Sequence, residues 1–179
     1  MILANAIIIA SRLVKDLMPA CERIQVVGSV RRGKPAVKDL DVLVIPGTGF
    51  LPKVMTLGKT KLAGQKIIGL TYHDPVETVD VQLFVADEKT WATLLLIRTG
   101  SAAFNKNLAI DAKRKGYSLK ASGIGVVNSG GNLIASHSEA AIIEACGLKY
   151  REPWQREIPL SLSQQNKRID CEACGLVYP

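Results

Sequence analysis

The sequence predicts an α+β fold built as two successive parts, and three patterns lead there. A dense apolar run over residues 4–20 reads as one helix. Four strand-like runs follow at 24–28, 39–45, 66–72 and 77–85, parted by turns rich in Gly and Pro. From residue 87 helical patterning returns, then three very short strands and a last helix. With 179 residues and a 47% apolar composition, the chain has room for one domain with two lobes and for an ordinary core.

Each element has a local reason. Pro19 closes the first helix because it cannot continue the hydrogen-bond ladder. Ile24-Gln25-Val26-Val27-Gly28 reads as a short strand leading into a Gly28-Ser29 turn and the basic loop Arg31-Arg32. Asp39 to Ile45 reads as a strand whose second half, Val42-Leu43-Val44-Ile45, is apolar enough to be buried. Pro46-Gly47-Thr48-Gly49 is a turn. Residues 50–66 fit neither period and carry Lys53, Lys59, Lys61 and Lys66, a solvated face or a second basic patch. Asp74-Pro75 turns between the third and fourth strands. Residues 87–98 form a helix that Thr99-Gly100-Ser101 breaks. A further helix runs from Ser101 to Lys115, and Gly116 is placed to end it in the left-handed conformation. Strands near 117–120, 124–128 and 132–135 follow, with Ser129-Gly130-Gly131-Asn132 as a hairpin turn. Ser136-His137-Ser138-Glu139 has the spacing of a capping box opening the last helix, which Gly147 ends. Beyond Pro159 periodicity is lost, so 160–179 reads as a tail. The expected organisation is 1–97, 98–159 and that tail.

Composition narrows the function. The formal net charge is +7, which favours polyanionic partners, nucleic acid foremost. No apolar run approaches the ~18 residues of a membrane span, and the apolar amino terminus lacks the basic segment of a signal peptide. Four cysteines are too few for a disulfide framework in a chain this long, so a reducing cytoplasmic, nuclear or viral-host compartment is expected, not secretion.

The most informative residues are acids. Asp39 and Asp41 open the apolar second strand, and residues i and i+2 of a strand share a face. Asp80 lies in Val79-Asp80-Val81-Gln82-Leu83, and a neighbouring pairing would bring it beside them. Three carboxylates crowded together repel unless a cation joins them, and hard oxygen ligands suit Mg²⁺. Alternate acids on a strand are also what a solvated face carries. The buried character of the strand after Asp41, the Gly28-Ser29 turn upstream and Asp80 downstream favour the metal.

These segments resemble the family X, or beta-like, DNA polymerases. Gly28-Ser29 to Asp41 has the family's spacing. Thr99-Gly100-Ser101-Ala102-Ala103-Phe104-Asn105-Lys106-Asn107 is similar to its Thr-Gly-Ser-x-x-Phe-Asn-Lys-Asn helix start. Lys115-Gly116-Tyr117 and Lys149-Tyr150-Arg151-Glu152-Pro153 are similar to later segments, so the resemblance covers roughly residues 20–157. It implies a nucleotidyltransferase palm with a mixed β-sheet, a smaller nucleotide-binding subdomain, and deoxynucleotide addition to a primer 3′ end in gap-filling repair. The resemblance is to small viral-type members of the family, in which the amino-terminal modules are expected to be missing. Asp39, Asp41 and Asp80 would be catalytic and would hold two Mg²⁺ ions, with Mn²⁺ able to substitute. Gly28, Ser29 and Arg32 would bind the triphosphate of a deoxynucleoside triphosphate. Gly100, Ser101, Phe104 and Asn105 would form the rest of the nucleotide site. Lys106, Lys113, Arg114, Lys115 and Lys120 would face a primer–template or gapped DNA. Ile97-Arg98 departs from the family, standing where beta-like members have an aromatic pair.

Other features are read more plainly. His73 and His137 are structural or exposed. Cys171-x-x-Cys174 supplies two of the four ligands a structural zinc takes, so loose thiols are expected there rather than a zinc centre, unless two chains share one. The competing functions are nucleotidyl transfer to RNA ends or a small molecule, which would not need the Thr-Gly-Ser helix start, and an inactive DNA-binding module, which would not need three acids.

Overall fold

A computed structural model describes residues 1–157 and the backbone of two short strands, Ile169–Cys171 and Leu176–Tyr178. The chain is α+β with a mixed sheet. It divides between Ala86 and Asp87 into two compact units, the terminal strands grouping with the first. The expected division at 97/98 cut through the helix Trp91–Thr99, which lies whole in the second unit.

In the first unit, α1 (Leu3–Leu17) buries Ala6, Ile9, Ala10, Leu13, Val14 and Leu17, the three-to-four spacing of one helix face. Pro19 sits in a single 3₁₀ turn, Met18–Ala20, that ends it. Strand β1 (Cys21–Val26) starts three residues earlier than the sequence reading placed it. Val27 is extended, and Gly28 opens a four-residue helix, α2 (Gly28–Arg31), where a turn alone was expected. Strand β2 runs Leu40–Pro46, so Asp39 stands just ahead of it at a bend rather than inside it. The ambiguous residues 50–66 resolve into α3 (Phe50–Leu57) and β3 (Gly58–Ala63), followed by β4 (Ile67–His73) and β5 (Thr78–Val85). The sheet order is β1-β2-β5-β4-β3. Only β2 and β5 pair in parallel, in the register Leu40↔Val81, Asp41↔Gln82, Val42↔Leu83; the other neighbours are antiparallel.

Leu40, Val42, Val44, Val79, Val81 and Leu83 line one sheet face and join the buried cluster with α1 and with Phe50 and Val54 of α3. Period-two alternation therefore leaves Asp41, Asp80 and Gln82 on the opposite face. Arg12 of α1 donates to Asp74 at 2.8 Å, and Tyr72 donates to Asp16 at 3.3 Å, tying the helix to the β4–β5 hairpin.

The second unit contains α4 (Trp91–Thr99), α5 (Ala102–Arg114), the antiparallel strands β6 (Ser118–Lys120), β7 (Gly125–Val127) and β8 (Leu133–Ala135), and α6 (Glu139–Ala145). Phe104, Leu108 and Ala112, one stripe of α5, pack with Leu96, Val126, Ile142 and Ile143. Gly116 (φ 77°) and Gly147 (φ 99°) follow α5 and α6 in conformations that favour glycine. The last helix is capped by Ser138, whose hydroxyl accepts from Ala141 N at 3.1 Å, and not by Ser136. Glu139 receives Arg156 Nη1 at 2.8 Å, with side chains 8% and 0% exposed. Within 160–179, read as an aperiodic tail, the two terminal strands pair antiparallel; three-residue strands are too short to show a period.

Because Arg156 and Glu139 are both buried, removing one strands the other. Arg156→Met should cost about 3–5 kcal/mol in urea unfolding, and adding Glu139→Gln should recover part of it. A loss below about 1 kcal/mol, the value of an exposed pair, would contradict this assignment.

Candidate active site

Val27 N donates to Asp41 O at 2.8 Å, tying the end of β1 to the start of β2. The chain then turns sharply through Gly28, whose φ of 63° suits a residue without Cβ. A Cβ there would lie 2.8 Å from Asp41 Cβ and would run into the carboxylate. The glycine is thus required twice, by its backbone conformation and by the carboxylate packed against it. Ser29 follows within α2, and its carbonyl accepts from Lys34 N at 3.0 Å, closing the basic loop. Arg32 ends α2 half-exposed, with its N–H bonded to Gly28 O at 3.2 Å. Gly28, Ser29, Arg32 and Asp41 are in this way gathered by one turn and one strand.

Asp80 reaches the same sheet face from β5. Its backbone pairs with Thr71, and its Oδ1 accepts from Thr71 Oγ1 at 3.2 Å and from Lys61 Nζ at 2.6 Å. The Lys61 hydrogen bond holds its carboxyl below the usual carboxylate range; the Lys61 charge, Thr71 and the Lys38 charge add to this, and desolvation opposes it. Lys61 is therefore engaged with an acid, not simply part of a basic patch, and the sequence alone did not single it out. Among the described residues no three His, Cys, Asp or Glu side chains are gathered tightly enough to hold a metal ion. Asp41 and Asp80 share a face across neighbouring parallel strands, and Asp39 stands at the mouth of one of them.

The other site residues lie in the second unit. The Gly100–Ser101 peptide is cis, with Gly100 at φ 75°. Ser101 caps α5 by accepting from Phe104 N at 3.3 Å and donates to Arg156 O at 3.1 Å. Phe104 is buried, with the Arg156 guanidinium 5.5 Å from its ring centroid, so its side chain also serves the core. Asn105 Nδ2 donates to Ile97 O at 2.8 Å, while its Oδ1 is buried without a hydrogen-bond partner. Lys106 and Lys113, seven residues apart, share an exposed side of α5; Arg114 donates to Asp111 at 2.9 Å, and Lys115 and Lys120 are exposed. Arg156 and Glu139, which fasten the start of α5 to the chain beyond Pro153, were not found by sequence reading. A buried Arg–Glu pair leaves no local pattern.

Cys21 and Cys146 are free thiols pushed up to about 11 by burial, which keeps them protonated near neutrality. The Cys171/Cys174 zinc question lies outside the described residues. No helix among those residues is long and apolar enough to cross a membrane.

Residues 94–157, all inside the second unit, match the family described as DNA polymerase beta thumb. Among curated proteins, DNA polymerase lambda of Rattus norvegicus is 27% identical over 159 residues, covering 73% of this chain. The chain spans 28% of that protein's length. In both comparisons the chain is similar to beta-like, family X DNA polymerases.

Two outcomes check the geometry. Gly28→Ala should destabilise the fold by about 1–2 kcal/mol from the left-handed backbone alone, with the displaced Asp41 carboxylate adding to it; an unchanged melting temperature would show that the turn is not held as described. In carboxyl NMR titrations Asp80 should ionise below the ordinary range and move up in Lys61→Met. Since the folded value is depressed, the pair's stabilisation is present above the unfolded pKa and fades as pH falls through the folded one.

Proposed function

We propose that the protein adds deoxynucleotides to the 3′ end of a DNA primer, in gap-filling synthesis. The observation that carries this reading is the placement of Asp41 and Asp80 on one sheet face, with Asp39 at the strand mouth and Gly28 packed against the Asp41 carboxylate. In this reading the first unit is the palm, and the thumb-like segment 94–157 contributes nucleotide and DNA contacts.

Asp39, Asp41 and Asp80 would hold Mg²⁺, with Mn²⁺ as substitute. The bound ions would supply Lewis acidity for the primer hydroxyl and charge neutralisation for the triphosphate. The chain's own work is placement. Ser29 and the Arg32 fork take up triphosphate oxygens through charge-assisted hydrogen bonds. The carboxylates fix where the primer 3′ oxygen and the α-phosphorus meet. The new phosphodiester bond forms at that phosphorus as its bond to the β-phosphate oxygen breaks, and pyrophosphate leaves. No protein nucleophile enters. Gly100, Ser101, Phe104 and Asn105 shape the nucleotide's sugar and base edge. Lys106, Lys113, Arg114, Lys115 and Lys120 neutralise DNA phosphates, giving salt-sensitive binding with little sequence preference.

Asp41→Asn should abolish primer extension while leaving the melting temperature unchanged or slightly raised, since one repelling charge is gone. Wild-type extension by this variant would sink the assignment. Arg32→Lys should weaken nucleotide binding roughly tenfold, about one charge-assisted hydrogen bond, with DNA affinity unchanged. Lys113→Ala with Lys115→Ala should flatten the salt dependence of DNA binding and weaken all sequences alike. Affinity indifferent to salt would favour nucleotidyl transfer to a small molecule.

A further inference from the structure

Lys61 has no part in the reading above, yet it sits on a carboxylate which that reading gives to a metal. It lies on the edge strand β3, where the pairing with β4 shifts register between Thr60 and Leu62. From there it reaches past Thr71 of β4 to Asp80 of β5 and donates to Oδ1 at 2.6 Å. Thr71 donates to the same oxygen, so the carboxylate is oriented from two sides. The ammonium offsets charge on a face that also carries Asp41. Lys38 is a second cation whose charge acts on Asp80.

The pair is also built to let go. The Lys61 and Asp80 side chains are 53% and 60% exposed, so their attraction is screened and weak. A lysine is a compact charge on a flexible stem with no acceptor of its own. It repels a divalent cation approaching the same oxygen, and it can swing into solvent.

We propose that Lys61 is the resident counter-ion of Asp80, a positioning residue that keeps the carboxylate neutralised and oriented while no metal is bound and is displaced when a divalent cation arrives. This rests on the metal reading of Asp80. The opposing view is a permanent bridge that merely fastens the edge strand. The two views differ in sign, because a displaceable lysine competes with metal and a structural bridge supports it.

Mn²⁺ binding to the full chain, without DNA or nucleotide, would be measured by the EPR signal of the free ion for wild type, Lys61→Met and Asp80→Ala. Lys61→Met should bind Mn²⁺ roughly two- to five-fold more tightly, the range that loss of an exposed ion pair allows. In the wild type, the Lys61 side-chain NMR signal should move towards that of a solvated lysine on Mg²⁺ addition. Equal or weaker Mn²⁺ binding by Lys61→Met, or a Lys61 signal indifferent to Mg²⁺, would overturn the inference while Asp80→Ala still loses metal. Wild-type affinity in Asp80→Ala would overturn the metal assignment and the inference together. The NMR measurement needs no variant and stands even if Lys61→Met folds poorly.

Discussion

The parallel pairing of β2 with β5 sets which side chains of the first unit face the core and which stand together on the other face. In the register Asp41↔Gln82, a pleat of period two sends Leu40, Val42, Val81 and Leu83 into the core and leaves Asp41 and Asp80 together on the other face. A one-residue slip of either strand would turn its acid inward and its apolar set outward, so the hydrophobic effect that closes the core also fixes the carboxylates. Each buried leucine or valine contributes on the order of 1.5–3 kcal/mol to holding that register. The repulsion between solvent-screened carboxylates is small beside the sum of such terms. Core packing, not affinity among the acids, holds the site together.

Around that register, close approach replaces flexibility. Gly28 lets the backbone leaving β1 pass directly against Asp41, so the turn bearing Ser29 and Arg32 is tied to the strand bearing the acid. In the second unit, buried Arg156 plays the corresponding part. It joins Glu139 of α6, the Arg151 carbonyl and the face of Phe104, while its own carbonyl receives Ser101, the cap of α5. The start of α5 is therefore built into a core rather than hung from a loop.

Much of this was legible in the sequence, for reasons that differ by residue. The helix breaks at Pro19, Gly116 and Gly147, and the buried second half of the strand read from Asp39, follow from backbone preferences and short-period patterning. The alternation around Asp80 placed that acid on a face before any pairing was known. What stayed hidden depends on partners far along the chain. Lys61 looked like one basic residue among several in an ambiguous stretch, because its meaning comes from Asp80 across two strand pairings. Arg156 drew no notice in the sequence because its partner Glu139 lies 17 residues away. Asp39 was read inside the strand because two acids one residue apart fit a pleat, but β2 begins only at Leu40. Ser136 has the capping-box spacing to Glu139, but the helix begins at Glu139, so the hydroxyl that reaches its first-turn N–H is that of Ser138.

The central claim is that Asp41 and Asp80 on that face form one cation site with Asp39 at the strand mouth. It is tested most directly by a crystal structure of the full chain with Mn²⁺ and a non-hydrolysable deoxynucleoside triphosphate, read from the anomalous signal of the metal. The expected map has Mn²⁺ coordinated by these three carboxylates and the triphosphate, with Lys61 Nζ no longer on Asp80 Oδ1. Manganese bound elsewhere, with Asp80 still held by Lys61 and Asp41 uncoordinated, would contradict the account.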